Sequence, residues 1–504
     1  MMQHLIILPV LLPLLAGVTL LIHRGGALTL RRTTNVIATA ALVVVGILLV
    51  AESSDGVIRY YALGDWQPPF GIILVLDRLS ALMVMLTAIL ALGSLLYACA
   101  GDDEQGSNFH GLFQLQLMGI NGAFLTGDAF NLFVFFEVLL IASYALLMHG
   151  GGKARTHAGF HYVALNLLGS MLFLIALGVL YGTTGTLNMA DMAAVIPTLD
   201  AGDVGLVKAG ALLLLIVFGL KAAMLPLYFW LPRAYAAAPA PVAALFAIMT
   251  KVGVYAIIRV YTLIFGEQAG LLANLATPWV WWLALATLAL GAVGVLSARD
   301  MRTQVAYLIL ISVGTLLAGV GMESEAALGA LLYYLIHTTL VSGGMFLLVD
   351  AIAQQRGKAG ARIVQSRTLG QPAILGLLFF AGAIAMAGLP PLSGAFGKAL
   401  LLQAATPAQQ VWLWPILLIS SLASLIALSR TGSTIFWRAS GERTGSSLGR
   451  LRGAGVLMLI LCAPLMVAFA GPITQFTQAT AAQLLDRDAY VQAIIARGAT
   501  GGDA

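Results

Sequence analysis

Charged residues are what this chain has least of. Only 9% of its 504 residues are Asp, Glu, Lys or Arg, against about 25% in soluble domains. A chain this long cannot cover a watery surface with so few charges, and with 60% hydrophobic residues the alternative is lipid. Cysteine is nearly absent too. Cys99 and Cys462 both sit in apolar runs, which excludes a disulfide framework and any cysteine-based metal cage. Phosphate and dinucleotide fingerprints are missing. GAFGKA at 394–399 resembles a phosphate loop only faintly, because its leading Gly is misplaced and no Ser or Thr follows the Lys. The formal charge of +5 is not gathered into an aromatic–basic stripe, so nucleic acid is excluded as a partner. No cofactor, metal site or catalytic centre is expected, and the chain reads as something other than an enzyme.

What is present is a series of apolar runs. A bilayer-spanning helix needs roughly 20 mainly apolar residues. By that length the sequence holds fourteen spans, near 4–22, 33–51, 77–100, 110–127, 128–149, 157–183, 205–231, 236–265, 274–298, 302–321, 326–350, 370–403, 409–430 and 450–474. The expectation is an all-α polytopic membrane protein in four parts. Residues 1–109 hold spans one to three, 110–266 a first helix bundle, 267–430 a second, and 431–504 the last span and a tail. The first run lacks a preceding basic cluster and a small-residue cleavage site, so it reads as a retained helix rather than a leader. The tract LNMADMAAVIPTLDAGD (187–203) reads as a short amphipathic segment on the outer surface.

Most of the 26 Lys and Arg residues lie in odd-numbered loops, among them Arg31, Arg32, Lys153, Arg155, Arg233, Arg302, Arg356, Arg362, Arg443 and Arg452. Even loops and the tail hold few: Arg59, Arg78, Lys208, Arg487 and Arg497. The positive-inside rule then makes the odd loops cytoplasmic and puts both termini on the outer side of the membrane.

A few ionisable residues fall inside the spans. Glu137 stands alone in NLFVFFEVLLIASYALL, and Lys221, Lys251, Arg259 and Lys398 lie in other apolar runs. A charge at a helix centre costs about 2.5–3.5 kcal/mol on insertion scales, so such residues face a bundle interior or a wet cavity and mark ion pathways. Arg259 lies near the outer end of its span and reads as a chain that snorkels to the interface. Lys221 is harder to dismiss, being roughly 24 Å along its span. Pro226 follows it and should interrupt the helix. Lys398 has a similar setting, with Pro390, Pro391 and Ser393 before it in AGLPPLSGAFGKALLLQ. Two interrupted helices in two halves fit the inverted-repeat plan of transporters, which place ion sites at such breaks. Tyr255 lies one turn after Lys251, and His337 has Tyr333 one turn before it and Thr338 beside it. An imidazole is suited to carrying a proton between wet pockets.

A Glu and a Lys near one another stabilise each other's charge, and separating them or inserting a proton or cation undoes that. Glu137 and Lys221 are therefore expected as a switchable pair, with Lys251, His337 and Lys398 as relay stations. The competing reading is a static buried ion pair in a scaffold subunit, although such a pair stabilises poorly.

The ordered set resembles a known family: an acid on the fifth span, lysines on the seventh, eighth and twelfth, and a His on the eleventh. It is similar to the antiporter-like subunits shared by respiratory complex I and the multisubunit Mrp-type (Mnh, Sha or Pha) cation/proton antiporters. The pieces that carry the likeness are TGDAFNLFVFFEVLLIASYALL, FWLPRAYAAAPAPVAALFAIMTKVGVYAIIR and AGLPPLSGAFGKALL, and it extends to about residue 475. Length and the first piece look most like the D-type subunit of the antiporters, because the A type would carry a long C-terminal extension. Tyr228, Tyr235 and Val341 stand where many relatives have His, His and Lys. The resemblance implies that Glu137 and Lys221 form a modulating pair, with Lys251, His337 and Lys398 along a hydrated axis. It implies exchange of cytoplasmic Na+ or K+ for external protons. The implied partners are a large A-type subunit, several small hydrophobic subunits and the lipid bilayer. A proton-pumping subunit of a quinone- or hydrogenase-linked redox complex is the alternative.

Overall fold

The computed structural model describes residues 3–443, 445 and 447–496, so Arg497 lies outside the described residues. Helices form wherever the apolar runs were read, because a chain in lipid must satisfy its backbone polar groups within each segment. The first are α1 (Leu8–Ile22) and α2 (Leu28–Ser53), joined by a short turn. A hairpin of β1 (Arg59–Ala62) and β2 (Ile73–Leu76) follows, pairing Arg59 with Leu76 and Ala62 with Ile73. Next come α3 (Arg78–Ala98), α4 (Phe109–Leu125), α5 (Ala129–Leu147) and α6 (Lys153–Thr184). Asp77 starts α3 and Asp128 starts α5, each accepting a backbone N–H of the first turn.

The middle of the chain holds the first interruption. A short α7 (Met189–Val195) leads to α8 (Ala201–Ala222), which stops before Pro226 and gives way to α9 (Trp230–Ala237). The next span is split into α10 (Ala240–Phe246) and α11 (Met249–Leu263). Then follow α12 (Thr277–Ser297), α13 (Met301–Gly321) and α14 (Glu325–Gln354). The second interruption separates α15 (Pro372–Ala387) from α16 (Ser393–Ala404), across Pro390 and Pro391. The remaining helices are α17 (Pro407–Gly432), α18 (Arg450–Ile460), α19 (Cys462–Ala468), α20 (Ala470–Leu485) and α21 (Arg487–Val491).

Among the described residues, eleven helices are long and apolar enough to cross a membrane. The other three expected spans correspond to shorter elements: α1, α4 and the broken α15–α16 pair. The α10–α11 span is wholly buried and α14 nearly so, whereas α2, α6 and α17 expose most of their surface. The core is therefore built of α10–α11, α13 and α14, with α3 mostly buried beside them and the more exposed helices facing lipid or other protein. The tract after residue 187 does form a short helix, α7, but Met189, Met192 and Ile196 are buried beneath it. Residues 470–496 are not a loose tail. Helix α20 packs on α14, and α21 packs on α7.

Candidate functional site

At the first break, side chains bond two of the backbone groups that the end of α8 leaves exposed. Ala223 turns left-handed (φ 62°), ending α8 directly after Lys221 and Ala222. The freed carbonyl of Leu220 accepts Trp230 Nε1 at 3.0 Å, and the N–H of Leu225 donates to Thr287 Oγ1 at 2.9 Å. Helix α11 touches this last turn backbone to backbone. A Cβ on Gly253 would lie 2.4 Å from Ala222 N, so only glycine allows the approach. Lys251 is two residues away on the same helix, and the break thus sits beside both lysines.

Lys221 is 4% exposed. Its Nζ donates to Asn166 Oδ1 at 3.2 Å and to the Asn166 carbonyl at 3.3 Å. Glu137 is half-buried on the rim of the chain and accepts a hydrogen bond from Ser170 Oγ. The one proton of that hydroxyl is shared with the Asn166 carbonyl, 3.0 Å from Ser170 Oγ. The acid and the lysine are therefore not in direct contact. One turn of α6 joins them, and Asn166 and Ser170 are polar residues that attention to charge alone had passed over.

Lys251 is fully buried, and its nearest acceptor is Ser312 Oγ on α13 at 3.5 Å. Beside it, the Thr250 hydroxyl is buried without a partner. Tyr255, one turn on, donates to the Phe124 carbonyl at 2.7 Å. Arg259 corrects the expectation of a snorkelling chain. It is 4% exposed and paired with Asp77 at 2.5 Å, an acid from the start of α3 that supplies the charge the interface was expected to supply.

The second break repeats the logic with other residues. Gly388 (φ 80°) ends α15, and Lys398 Nζ reaches back to the Ala387 carbonyl at 3.0 Å and to Ser421 Oγ at 2.8 Å. A cation at the end of a helix is favourably placed against its exposed carbonyls. His337 Nδ1 lies 2.8 Å from Ser393 Oγ, at the first residue of α16. Gly394 permits that contact, since a Cβ there would stand 2.0 Å from the Ala385 carbonyl and 2.8 Å from His337 Nε2. The ring packed against His337 is Tyr334, with centroids 5.7 Å apart. Tyr333 instead donates to the Met466 carbonyl at 3.0 Å. The Thr338 hydroxyl, like that of Thr250, is buried without a partner.

Among the described residues, no carboxylate lies within 4 Å of Lys221, Lys251 or Lys398. The buried ion pairs are at the ends of the helices. On the face of the odd loops, Arg302 bonds Asp350, which also accepts from Tyr97 and Gln354 at 2.8 and 2.7 Å. Nearby, burial and the charge of Asp350 push the Asp102 carboxyl up to about 6, against the pull of Arg452. Arg32 holds Asp103 in the opposite direction, well below the usual carboxylate range, helped by His110. Among the described residues no group of three or more His, Cys, Asp and Glu converges to hold a metal.

Residues 126–426 match the family model described as NADH:quinone oxidoreductase/Mrp antiporter. The chain is 41% identical to the D-type subunit of the probable K(+)/H(+) antiporter of Rhizobium meliloti, over 96% of each chain. It is 36% identical to the D-type subunit of the Na(+)/H(+) antiporter of Bacillus subtilis, over 98% of this chain and all of that one. A chain of the Mrp complex from Dietzia superposes with a TM-score of 0.87 at 27% identity, covering 98% of this chain and 99% of the other. A chain of respiratory complex I from Thermus thermophilus gives 0.80 at 27% identity, over 95% and 99%.

Proposed function

The chain belongs to the NADH:quinone oxidoreductase/Mrp antiporter family of membrane subunits, and on that premise we propose that it is the D-type subunit of a multisubunit monovalent cation/proton antiporter in which Glu137, Lys221, Lys251, His337 and Lys398 pass protons across the bilayer. Protons move inward down their gradient while cytoplasmic Na+ or K+ is expelled. The observation that carries the proton route is the shared setting of the three lysines. Each is buried and donates only to neutral oxygen: Asn166 for Lys221, Ser312 for Lys251, Ala387 and Ser421 for Lys398. A lysine so placed can release or take up a proton without stranding a carboxylate in low dielectric.

Glu137 and Lys221 act as a pair through α6. A change of charge on Glu137 alters its bond to Ser170, and the Asn166 carbonyl shared by Ser170 and Lys221 transmits the change. The unpartnered hydroxyls of Thr250 and Thr338 lie beside Lys251 and His337, where water would extend a hydrogen-bonded route. His337 can bind a proton at either ring nitrogen, with Ser393 positioned at Nδ1. Tyr255 continues the route beyond Lys251, and the breaks at Pro226, Pro390 and Pro391 are where the helices can shift.

The partners are a large A-type subunit and several small hydrophobic subunits, in a bacterial inner membrane with both termini outside. Glu137 supports such neighbours, because a half-buried carboxylate at mid-span is costly against lipid. The test is to purify the complex gently from its own membranes and identify its subunits by mass spectrometry. Small hydrophobic subunits and an A-type homologue, without iron–sulfur or flavin proteins, are the expected result. Co-purifying redox subunits would overturn the reading and make the same residues one channel of an electron-driven pump.

A further inference from the structure

Lys251, Tyr255 and Arg259 recur every fourth residue on α11, so they share one face over about 12 Å. The Tyr255 hydroxyl lies 3.4 Å from Arg259 Nε. The Arg259 guanidinium lies between two rings, 5.5 Å from the centroid of Tyr255 and 5.4 Å from that of Tyr490. Asp77 uses one carboxylate oxygen to accept the N–H of Ser80 and the other to hold Arg259. Contacts therefore run from Tyr255 through Arg259 to Asp77, on the same helix face as the central lysine and toward the face that carries β1 and β2.

These contacts end one residue short of water. A cavity of about 460 Å³ is lined by Gly56, Ile58, Arg78, Asp486, Ala489 and Ala493. Arg78 and Ala489 in its lining are the chain neighbours of Asp77 and Tyr490. Tyr490 is 3% exposed, and its hydroxyl is buried without a partner, an orphan that natural structures rarely tolerate without a role or a water. The segment bearing it is tied down by polar contacts. Gln483 bonds the N–H of Arg78 and the carbonyl of Gly56, each at 2.9 Å, and Arg487 reaches Gln268 and the Ala193 carbonyl.

We propose that Asp77 and Arg259 form the port through which the proton route reaches water on the β1–β2 face, with Tyr490 of α21 as its gate. This inference rests on the route through Lys251 proposed above. A proton leaves cavity water for the Asp77 oxygen that holds Arg259, loosening that ion pair. Through water between the side chains, the Tyr255 hydroxyl then gives its proton to an unprotonated Lys251 as it takes the one held by Asp77, which restores the Asp77–Arg259 pair. Arg259 remains held between its two rings while Asp77 is neutral.

The test uses the full complex. Asp77→Asn keeps the helix cap, since Asn caps as well as Asp, but removes the charge. It should assemble and lower cation-driven proton exchange at least tenfold; a normal rate would overturn the port. If the lone arginine blocks assembly, Asp77→Asn combined with Arg259→Met leaves no unpaired charge, and normal exchange there would equally overturn it. Lys251→Ala in the same assay separates the two claims. A dead Lys251→Ala beside an active Asp77→Asn defeats only the port, whereas an active Lys251→Ala defeats the route itself. The gate has its own readout. In a Cys99→Ser, Cys462→Ser chain carrying Tyr255→Cys, a membrane-impermeant thiol reagent added outside should react at least tenfold faster once Tyr490→Ala is introduced. Tyr490→Phe, which keeps the ring, should leave that rate low. Equal labelling with and without Tyr490 would overturn the gate.

Discussion

Gly253→Ala is a substitution of one methyl group that should disable the protein. A Cβ at this position would stand 2.4 Å from Ala222 N, with Ala222 Cα and the Lys221 carbonyl carbon each at 2.8 Å. Favourable contact between heavy atoms begins at about 3.5 Å, so α11 and the end of α8 must separate by about 1 Å. No side chain can yield, because every one of these neighbours is main chain. Overpacking of this kind costs about 1–3 kcal/mol, which a large complex survives. The geometry fares worse, since a misplacement of about 1 Å can cost about a hundredfold where groups must meet in register. The expected outcome in membrane vesicles is an assembled complex whose cation-driven collapse of a pH gradient is slowed by about that factor. Gly178→Ala is the control. It lies on the exposed side of α6 with nothing within 4 Å of its Cβ, and it should exchange normally while gaining up to about 1 kcal/mol of helix stability. Wild-type exchange by Gly253→Ala would refute the idea that the close approach of Lys251 to the first break matters.

Other substitutions test other parts. Glu137→Ala or Lys221→Ala should abolish transport while leaving assembly intact, as read by co-purification; loss of assembly would favour a scaffold. Asn166→Leu removes the side-chain acceptor of Lys221 and should reduce exchange at least tenfold, whereas a wild-type rate would show that the α6 link is idle. Asp102 offers a pH test outside the membrane. Its carboxyl rises from 3.8 to about 6 in the folded chain, so between those values the folded state keeps a proton the unfolded state has lost. Stability therefore falls as pH rises through that window, and the cost is complete above about pH 6. Asp102→Asn should relieve no more than about 3 kcal/mol at pH 7, raising the melting temperature there and making no difference at about pH 3.

The spans were legible because lipid leaves few options. Apolar runs of helical length must become helices, and Pro226, Pro390 and Pro391 cannot continue one. The burial of the charged residues of the candidate site was legible for the same reason, as Lys221, Lys251 and Lys398 are conspicuous in apolar surroundings. Their partners were not. Asn166, Ser170, Ser312 and Ser421 carry no charge, and small polar residues occur widely in membrane helices as packing glue. Arg259 was misjudged because its partner, Asp77, lies on a distant helix start, where an acid also serves as a cap. The helices α20 and α21 were missed because their mixed composition looks like a tail until α14 and α7 are in place to receive them.

The most direct measurement is transport by the purified complex in liposomes that contain a pH-sensitive dye. An imposed Na+ or K+ gradient should drive proton movement with the wild-type chain, and none with Glu137→Ala or Lys221→Ala in an equally assembled complex. Cation-driven proton exchange that persists undiminished in both variants would contradict the central claim that the buried acid and lysine carry the coupling.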